Sequence, residues 1–415
     1  MRAVSFLGLS DYSEACYVFD GRECRTAYFP VAVCELFGAR ELRLLMTAAA
    51  RAKHFAGLQA DLAARGLSDI VRAVEIPEGK SEAEIWELFD ALTGALPSSP
   101  DDGVLLDVTF GYRSLPVLAV IAAAYLQVAR GVHIDKLVYG AWESRDEQGR
   151  TPVFDLSPFL TLLRWTTATE QFLRTGEAKP LTQALEAAHN LPHRATPSAS
   201  DLPRQLKNVA GALGEVSQAM QLARPHAMME AAATLARRLE TADSEATRWA
   251  KPFAVLLDRV RADYAPLALS DPLSDARRDL DVQRRLLDWY VERGRAVEAI
   301  LLAREYVISS FILQHGWDVI ADRDHAEKLL SEAAAAKRTK QTAGETAAGH
   351  GAVQVDDSWA QLWNQIGDLR NDVAHCGMRR SPRPVRSILG DVAKLPAQLA
   401  SLITPPMSGA GGVRR

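Results

Sequence analysis

The feature that most constrains this chain is a change of hydrophobic rhythm near Phe159. Before it, short apolar runs alternate with longer amphipathic stretches. After it, almost every sizeable segment repeats at helical spacing and no convincing strand interrupts. Alternating strands and helices predict a mostly parallel sheet flanked by helices, and the second pattern predicts an all-α region. The expectation is an α/β domain over residues 1–158, a helical region over 159–403, and a Pro/Gly-rich flexible tail over 404–415.

Residues 2–8 read as a first buried strand, and Tyr17 to Phe29 sets apolar arms around Asp20-Gly21, a hairpin signal. Further strands are expected over 41–47, 70–76, 103–108 and 136–142. Helices are expected over 48–65, from the Ser81–Glu84 capping box to Leu96, and from Ser114. Later helices are expected over 160–174, 181–188, 202–222, 227–242, 249–264, 280–293 and 296–315. The stretches 190–203 and 336–358 read as loops, the second with little to bury. Ligands of parallel sheets bind outside the carboxyl ends of the strands, where Gly8, Thr47, Thr109 and Gly140 fall.

Bulk properties exclude several classes. The net charge of −4 argues against coating nucleic acid through overall basicity, so an RNA site must be a local patch or be assembled between subunits. Cys16, Cys24, Cys34 and Cys376 show no C-x-x-C spacing, which indicates neither a zinc site nor a disulfide framework. No G-x-G-x-x-G follows the first strand and no P-loop occurs, which disfavours a dinucleotide enzyme or an ATPase. No apolar run of about twenty residues is free of charges or breakers, and the N-terminus lacks a signal-peptide layout. A cytoplasmic protein that does not span the membrane is expected.

Two stretches carry chemistry. In Asp107-Val108-Thr109-Phe110-Gly111-Tyr112-Arg113-Ser114-Leu115-Pro116, a strand, a glycine turn and a helix follow in order, which presents free backbone N–H groups at a helix N-terminus. Gly111 admits a ligand to the backbone, while Thr109 and Arg113 supply donors. On local sequence a tight connection capped by Asp107 and Thr109 is an equal alternative. In Arg370-Asn371-Asp372-Val373-Ala374-His375 an arginine and a histidine stand about one and a half helical turns apart. They converge if the helix ends there, and Gly377 offers a stop. With nine histidines in 415 residues such spacing is weak by itself. The basic run beside it, with Arg379, Arg380 and Arg383, favours phosphate contact in an otherwise acidic chain, against a merely solvated segment. Trp359, Trp363, Trp289 and Tyr290 read as packing residues rather than base-stacking platforms. Glu298, Arg304 and Glu305 either orient the arginine or form surface ion pairs.

The stretch Asp107 to Pro116 resembles the ligand-loop motif of CARF domains. Phe6-Leu7-Gly8 with Tyr12, then Ala15-Cys16-Tyr17 and Tyr28-Phe29, is similar to the start of the same domain. Arg370 to His375 resembles the Arg-x4-His motif of HEPN ribonucleases, including the polar residue after the arginine. The order of the two motifs is that of CARF–HEPN ancillary nucleases of type III CRISPR systems (the Csx/Csm group). The resemblance is densest over residues 1–160 and 281–380.

It implies a Rossmann-like CARF sensor followed by an all-α HEPN domain acting in antiviral defence. Catalysis would fall to Arg370, Asn371 and His375. Cyclic tetra-adenylate or cyclic hexa-adenylate, as activator rather than cofactor, would bind at Gly8, Leu9, Ser10, Tyr12, Thr47, Thr109, Gly111, Tyr112, Arg113 and Ser114. Single-stranded RNA would meet Arg379, Arg380 and Arg383. Two Arg–His sets would meet across a homodimer. No resident metal is expected, because RNA carries its own 2′-OH nucleophile. A sensor without nuclease activity, or a HEPN toxin without a second messenger, are the alternatives.

Overall fold

The computed structural model describes residues 1–96, 103–110, 114–343, 355–378 and 380–402. These divide into two compact units, Met1–Thr166 and the chain from Thr167 onward. The first is built on eight strands: β1 (Arg2–Leu7), β2 (Ala15–Phe19), β3 (Arg22–Thr26), β4 (Glu41–Met46), β5 (Val71–Glu75), β6 (Val104–Asp107), β7 (Ile134–Gly140) and β8 (Arg150–Asp155). Their spatial order is β3-β2-β8-β7-β6-β1-β4-β5. The run from β7 to β5 is parallel, β8 is antiparallel to β7, and β2–β3 is the expected hairpin with Asp20 and Gly21 at positive φ. The sheet is therefore mostly parallel, as the alternating pattern predicts.

Helices α1 (Phe29–Phe37), α2 (Ala48–Ala50) and α3 (Ala56–Ala64) pack with one apolar cluster, and α4 (Glu82–Ala95) and α5 (Ser114–Ala129) with another. Strand β1 feeds both: Ala3 and Leu7 join the first cluster, Val4 and Phe6 the second. A strand buried on both faces is apolar on both, with the hydrogen-bonded Ser5 as the one buried exception, and residues 2–8 therefore lack alternation. Each fully buried leucine, such as Leu44 or Leu106, contributes about 2 kcal/mol. The capping box opens α4 in part: Ser81 accepts from the Glu84 N–H, but the Glu84 carboxylate takes the N–H groups of Gly79 and Lys80.

The chain order places the ligand-binding end. Strand β1 is followed by β4 on one side, and the path from β5 through α4 returns to β6 on the other. The direction of strand order thus reverses between β1 and β6, where doubly wound sheets leave a crevice.

The second unit is helical. Helix α6 (Ser157–Thr175) runs through the division, and α7 (Lys179–Ala195), α8 (Leu206–Gln221), α9 (Pro225–Trp249), α10 (Lys251–Tyr264), α11 (Ala276–Glu292), α12 (Ala296–His315), α13 (Arg323–Ala343), α14 (Asp357–Ala374), α15 (Val385–Val392) and α16 (Leu395–Leu402) follow. Trp359 and Trp363 are core residues: Trp359 lies edge-on to Phe311, and the Trp363 indole donates to Ser331. Tyr290 is fully buried and donates its hydroxyl to the Met220 carbonyl.

Three expectations are corrected. The stretch 190–203 is helical as far as Ala195, because α7 continues through Pro192. The stretch 336–358 begins as helix, since α13 reaches Ala343, and α14 starts at Asp357; residues 344–354 lie outside the described ones. Strand β8 was not expected; Pro152 masks it, yet Pro152 sits in the register of β8 against β2, a place reached only through pairing. The tail over 404–415 also lies outside the described residues.

Candidate functional site

At the carboxyl ends of β1 and β6 a short polar chain holds the sheet's crevice. Asp107 is fully buried; one carboxylate oxygen accepts from the Ser5 hydroxyl and the other from the Thr109 N–H at 2.7 Å. Burial raises its carboxyl to about 6, against the lowering effect of hydrogen bonds from Ser5 and from the side chain and backbone of Thr109. Asp107 therefore braces the turn. Thr109 in turn accepts from the Gly140 N–H at 2.8 Å, tying β6 to the end of β7. A side chain at Gly140 would meet the Phe29 ring at 2.9 Å, so only glycine fits there.

The loop after β1 is fixed by Tyr12, whose hydroxyl accepts from the Gly8 N–H at 2.7 Å. Its ring lies 4.4 Å from Phe110 and 4.5 Å from His54. Leu9 and Ser10 are exposed at the tip, and the Leu9 carbonyl accepts from Lys53 at 2.9 Å. Lys53 also pairs with Asp11 at 2.6 Å. Thr47 caps α2 by accepting from the Ala50 N–H. The structure thus brings Gly8, Tyr12 and Thr109 to one end of the sheet, as the sequence suggests. Gly111, Tyr112 and Arg113 lie outside the described residues, and Ser114 begins α5.

Lys53 and His54 were not expected here. They sit on a π-helical turn, Arg51–Phe55, which joins α2 to α3. Such turns recur at functional sites, but an alanine-rich helix gives no local sign of one. The His54 ring is buried, and its Nε2 has no partner among the described residues.

In the second unit, α14 ends in a Schellman turn. Gly377 N–H donates to the Asp372 carbonyl at 2.9 Å and Cys376 N–H to Val373 at 3.0 Å. Cys376, not Gly377, takes the first left-handed position at φ 53°, with Gly377 next at 68°. His375 is the C-cap, and Arg370, Asn371 and His375 are all exposed. The expected helix stop is present one residue earlier than the glycine alone suggests.

Arg370 lines a depression of about 220 Å³ with Arg224, Arg304 and Glu305. Arg304 donates to Glu305 at 3.1 Å and to Glu327, and lies over the Trp363 ring at 5.0 Å. Glu305 also pairs with Arg323, whereas Glu298 pairs with Arg295 at 2.5 Å. Arg304 and Glu305 therefore belong to the surroundings of Arg370, and Glu298 is engaged elsewhere. Arg380 is exposed; Arg383 donates to Asp391 and to Ser387 at 3.0 Å; Arg379 lies outside the described residues. Among the described residues no three His, Cys, Asp or Glu side chains gather as a metal site, and no helix is long and apolar enough to cross a membrane.

Comparison with known proteins adds an independent finding. Residues 161–266 match the family described as the second domain of CRISPR-associated protein MJ1674. The CRISPR-associated protein MJ1674 of Methanocaldococcus jannaschii is 29% identical over 112 residues, which are 27% of this chain and 18% of that protein. The matched segment is thus less than a fifth of that relative. The solved structure of Enterococcus italicus Csm6 bound to cyclic hexa-2′-fluoro-hexa-dAMP is similar over 97% of this chain and 94% of that one, with 13% identity and a TM-score of 0.42. Helices α6 to α10 therefore carry the CRISPR-associated likeness by sequence.

Proposed function

We propose that this chain is a CARF–HEPN ancillary ribonuclease of type III CRISPR defence, in which a cyclic oligoadenylate, cyclic tetra-adenylate by preference, bound at the sheet switches on cleavage of single-stranded RNA by the helical unit. The observation that carries the reading is the exposed end of α14, where Asn371 opens the last turn, Arg370 stands just before it and His375 caps it. The CRISPR-associated match over residues 161–266 supports the setting.

Such an end suits transesterification of RNA. The imidazole of His375 takes the proton of a 2′-OH, and the oxygen attacks the adjacent phosphorus. The 5′-oxygen leaves and takes a proton from the imidazolium of the partner subunit's His375, giving a 2′,3′-cyclic phosphate and a 5′-OH. The Arg370 guanidinium stabilises the dianionic phosphorane, and Asn371 hydrogen-bonds a phosphate oxygen or the imidazole. Each chain supplies one Arg–His set, so a homodimer brings two together. Because base, acid and anion stabiliser are all side chains, the reaction needs no resident metal.

At the sheet, the Tyr12 hydroxyl accepts a backbone N–H and so keeps its own hydrogen for a ligand, whereas the Thr109 side chain accepts the Gly140 N–H and also hydrogen-bonds Asp107. Activator binding shifts the population toward the geometry in which the two HEPN sites align. The test is product analysis. RNA cleaved in EDTA should carry 2′,3′-cyclic or 3′-phosphate ends, and a 2′-deoxy substrate should resist. Cleavage of the deoxy substrate at the same rate, or activity lost in EDTA and restored by magnesium, contradicts the reading.

A further inference from the structure

We infer that Arg224, on the turn between α8 and α9, grips a backbone phosphate of the RNA whose cleavage is proposed at Arg370. The inference rests on that ribonuclease reading and adds a residue from a segment distant in sequence.

Three arginines and one glutamate line the depression of about 220 Å³ that holds Arg370. Two of the four are spoken for: Arg304 and Glu305 bind one another, and Glu327 and Arg323 complete their charges. Arg224 and Arg370 are exposed, and among the described residues neither has a recorded ion pair. The depression therefore carries two uncompensated arginines, one on α14 and one on the turn between α8 and α9. A cavity needs about 10–15 Å³ to hold one water, so the space admits a phosphodiester with its waters.

The backbone holds Arg224 still. Ala223 adopts φ 49°, a conformation alanine rarely takes. Its N–H donates to Met220 at 3.2 Å and that of Arg224 to Ala219 at 2.9 Å, the same Schellman arrangement that ends α14. The Tyr290 hydroxyl holds the Met220 carbonyl at 2.9 Å, fastening the turn to α11. The Arg224 carbonyl then accepts the Met228 N–H as α9 begins. An arginine on so constrained a turn loses only side-chain freedom on binding, and paired guanidiniums match the oxygens of a phosphodiester better than lysines do. An acidic protein segment is the competing occupant, and the test separates it.

The probe is a short single-stranded RNA made uncleavable by 2′-O-methylation, followed by fluorescence anisotropy on the full chain with and without cyclic tetra-adenylate. Arg224→Ala should weaken binding by about 10-fold, the scale of one charge-assisted contact. It should also flatten the salt dependence by about 0.7 in the log–log slope, one phosphate on a single strand. Arg224→Lys should keep the slope, and Arg194→Ala, an exposed arginine of α7, should change nothing. With cleavable RNA, Arg224→Ala should raise KM more than it lowers kcat. Unchanged affinity and slope in Arg224→Ala overturn the inference and leave the ribonuclease reading standing. Absence of RNA binding by the wild type, with or without the activator, overturns both. Arg224-dependent binding without any cleavage upholds the inference and removes the ribonuclease.

Discussion

Thr109 Oγ1 accepts the backbone N–H of Gly140 at 2.8 Å, joining the ends of two neighbouring strands. Thr109→Val keeps the shape and removes the acceptor, leaving the Gly140 N–H without its partner. A loss of roughly 1–3 kcal/mol is expected, measured as a lower urea midpoint with unchanged slope. Calorimetry with cyclic tetra-adenylate should show weaker binding as well. A variant with wild-type stability would show that water replaces the hydroxyl at no cost.

Asp107 gives the first unit a pH dependence with a defined sign. Its folded carboxyl is raised to about 6, above its ordinary value near 4, so the folded state holds the proton more tightly. Stability should fall as pH rises between about 4 and 6, by up to about 3 kcal/mol from this group, and level off above. Asp107→Asn should abolish that slope. Parallel pH–stability curves for wild type and variant would remove the assignment.

His226 produces the same direction from a different cause. Its ring, 3.2 Å from Asp279, is raised above the ordinary histidine range by that hydrogen bond. The stabilisation is fully present below about pH 6.5 and is lost as pH rises through the raised folded value. His226→Gln should therefore destabilise the helical unit near pH 5.5 and matter little near pH 8.5, as thermal unfolding at both values would show. Equal losses at the two values would mean that packing, not charge, is what the substitution removes.

How much was legible follows the range of the forces involved. The hairpin at Asp20-Gly21, the parallel strands and the bracing role of Asp107 depend on neighbours in sequence, and the chain displays them. Strand β8 depends on partners far away, and Pro152 hides it. The π-helical turn under Lys53 and His54 has no local signature, so their place beside Tyr12 emerges only from the packed unit. Arg224 lines the same depression as Arg370 although nearly 150 residues separate them, a relation that no motif shows. The Arg370–His375 motif was visible by itself, but its terminal turn required Cys376 in a conformation usually left to glycine.

Lys53 should uncouple loop order from stability. Its contacts to the Leu9 carbonyl and Asp11 are exposed, so Lys53→Ala should cost less than about 1 kcal/mol. Amide hydrogen exchange over residues 8–12 should nevertheless rise, and activator affinity should fall. Unchanged exchange there would show that Tyr12 alone holds the loop.

The central claim is that the sheet senses a cyclic oligoadenylate and the end of α14 cuts RNA in response. It is tested most directly by cleavage of a single-stranded RNA with and without cyclic tetra-adenylate, using wild type and His375→Ala, with cyclic hexa-adenylate as the second ring. The account predicts strong activation of the wild type, and cleavage by folded His375→Ala reduced at least ~100-fold while its activator binding is unchanged. Wild-type cleavage indifferent to both rings, or full activity in His375→Ala, would contradict it.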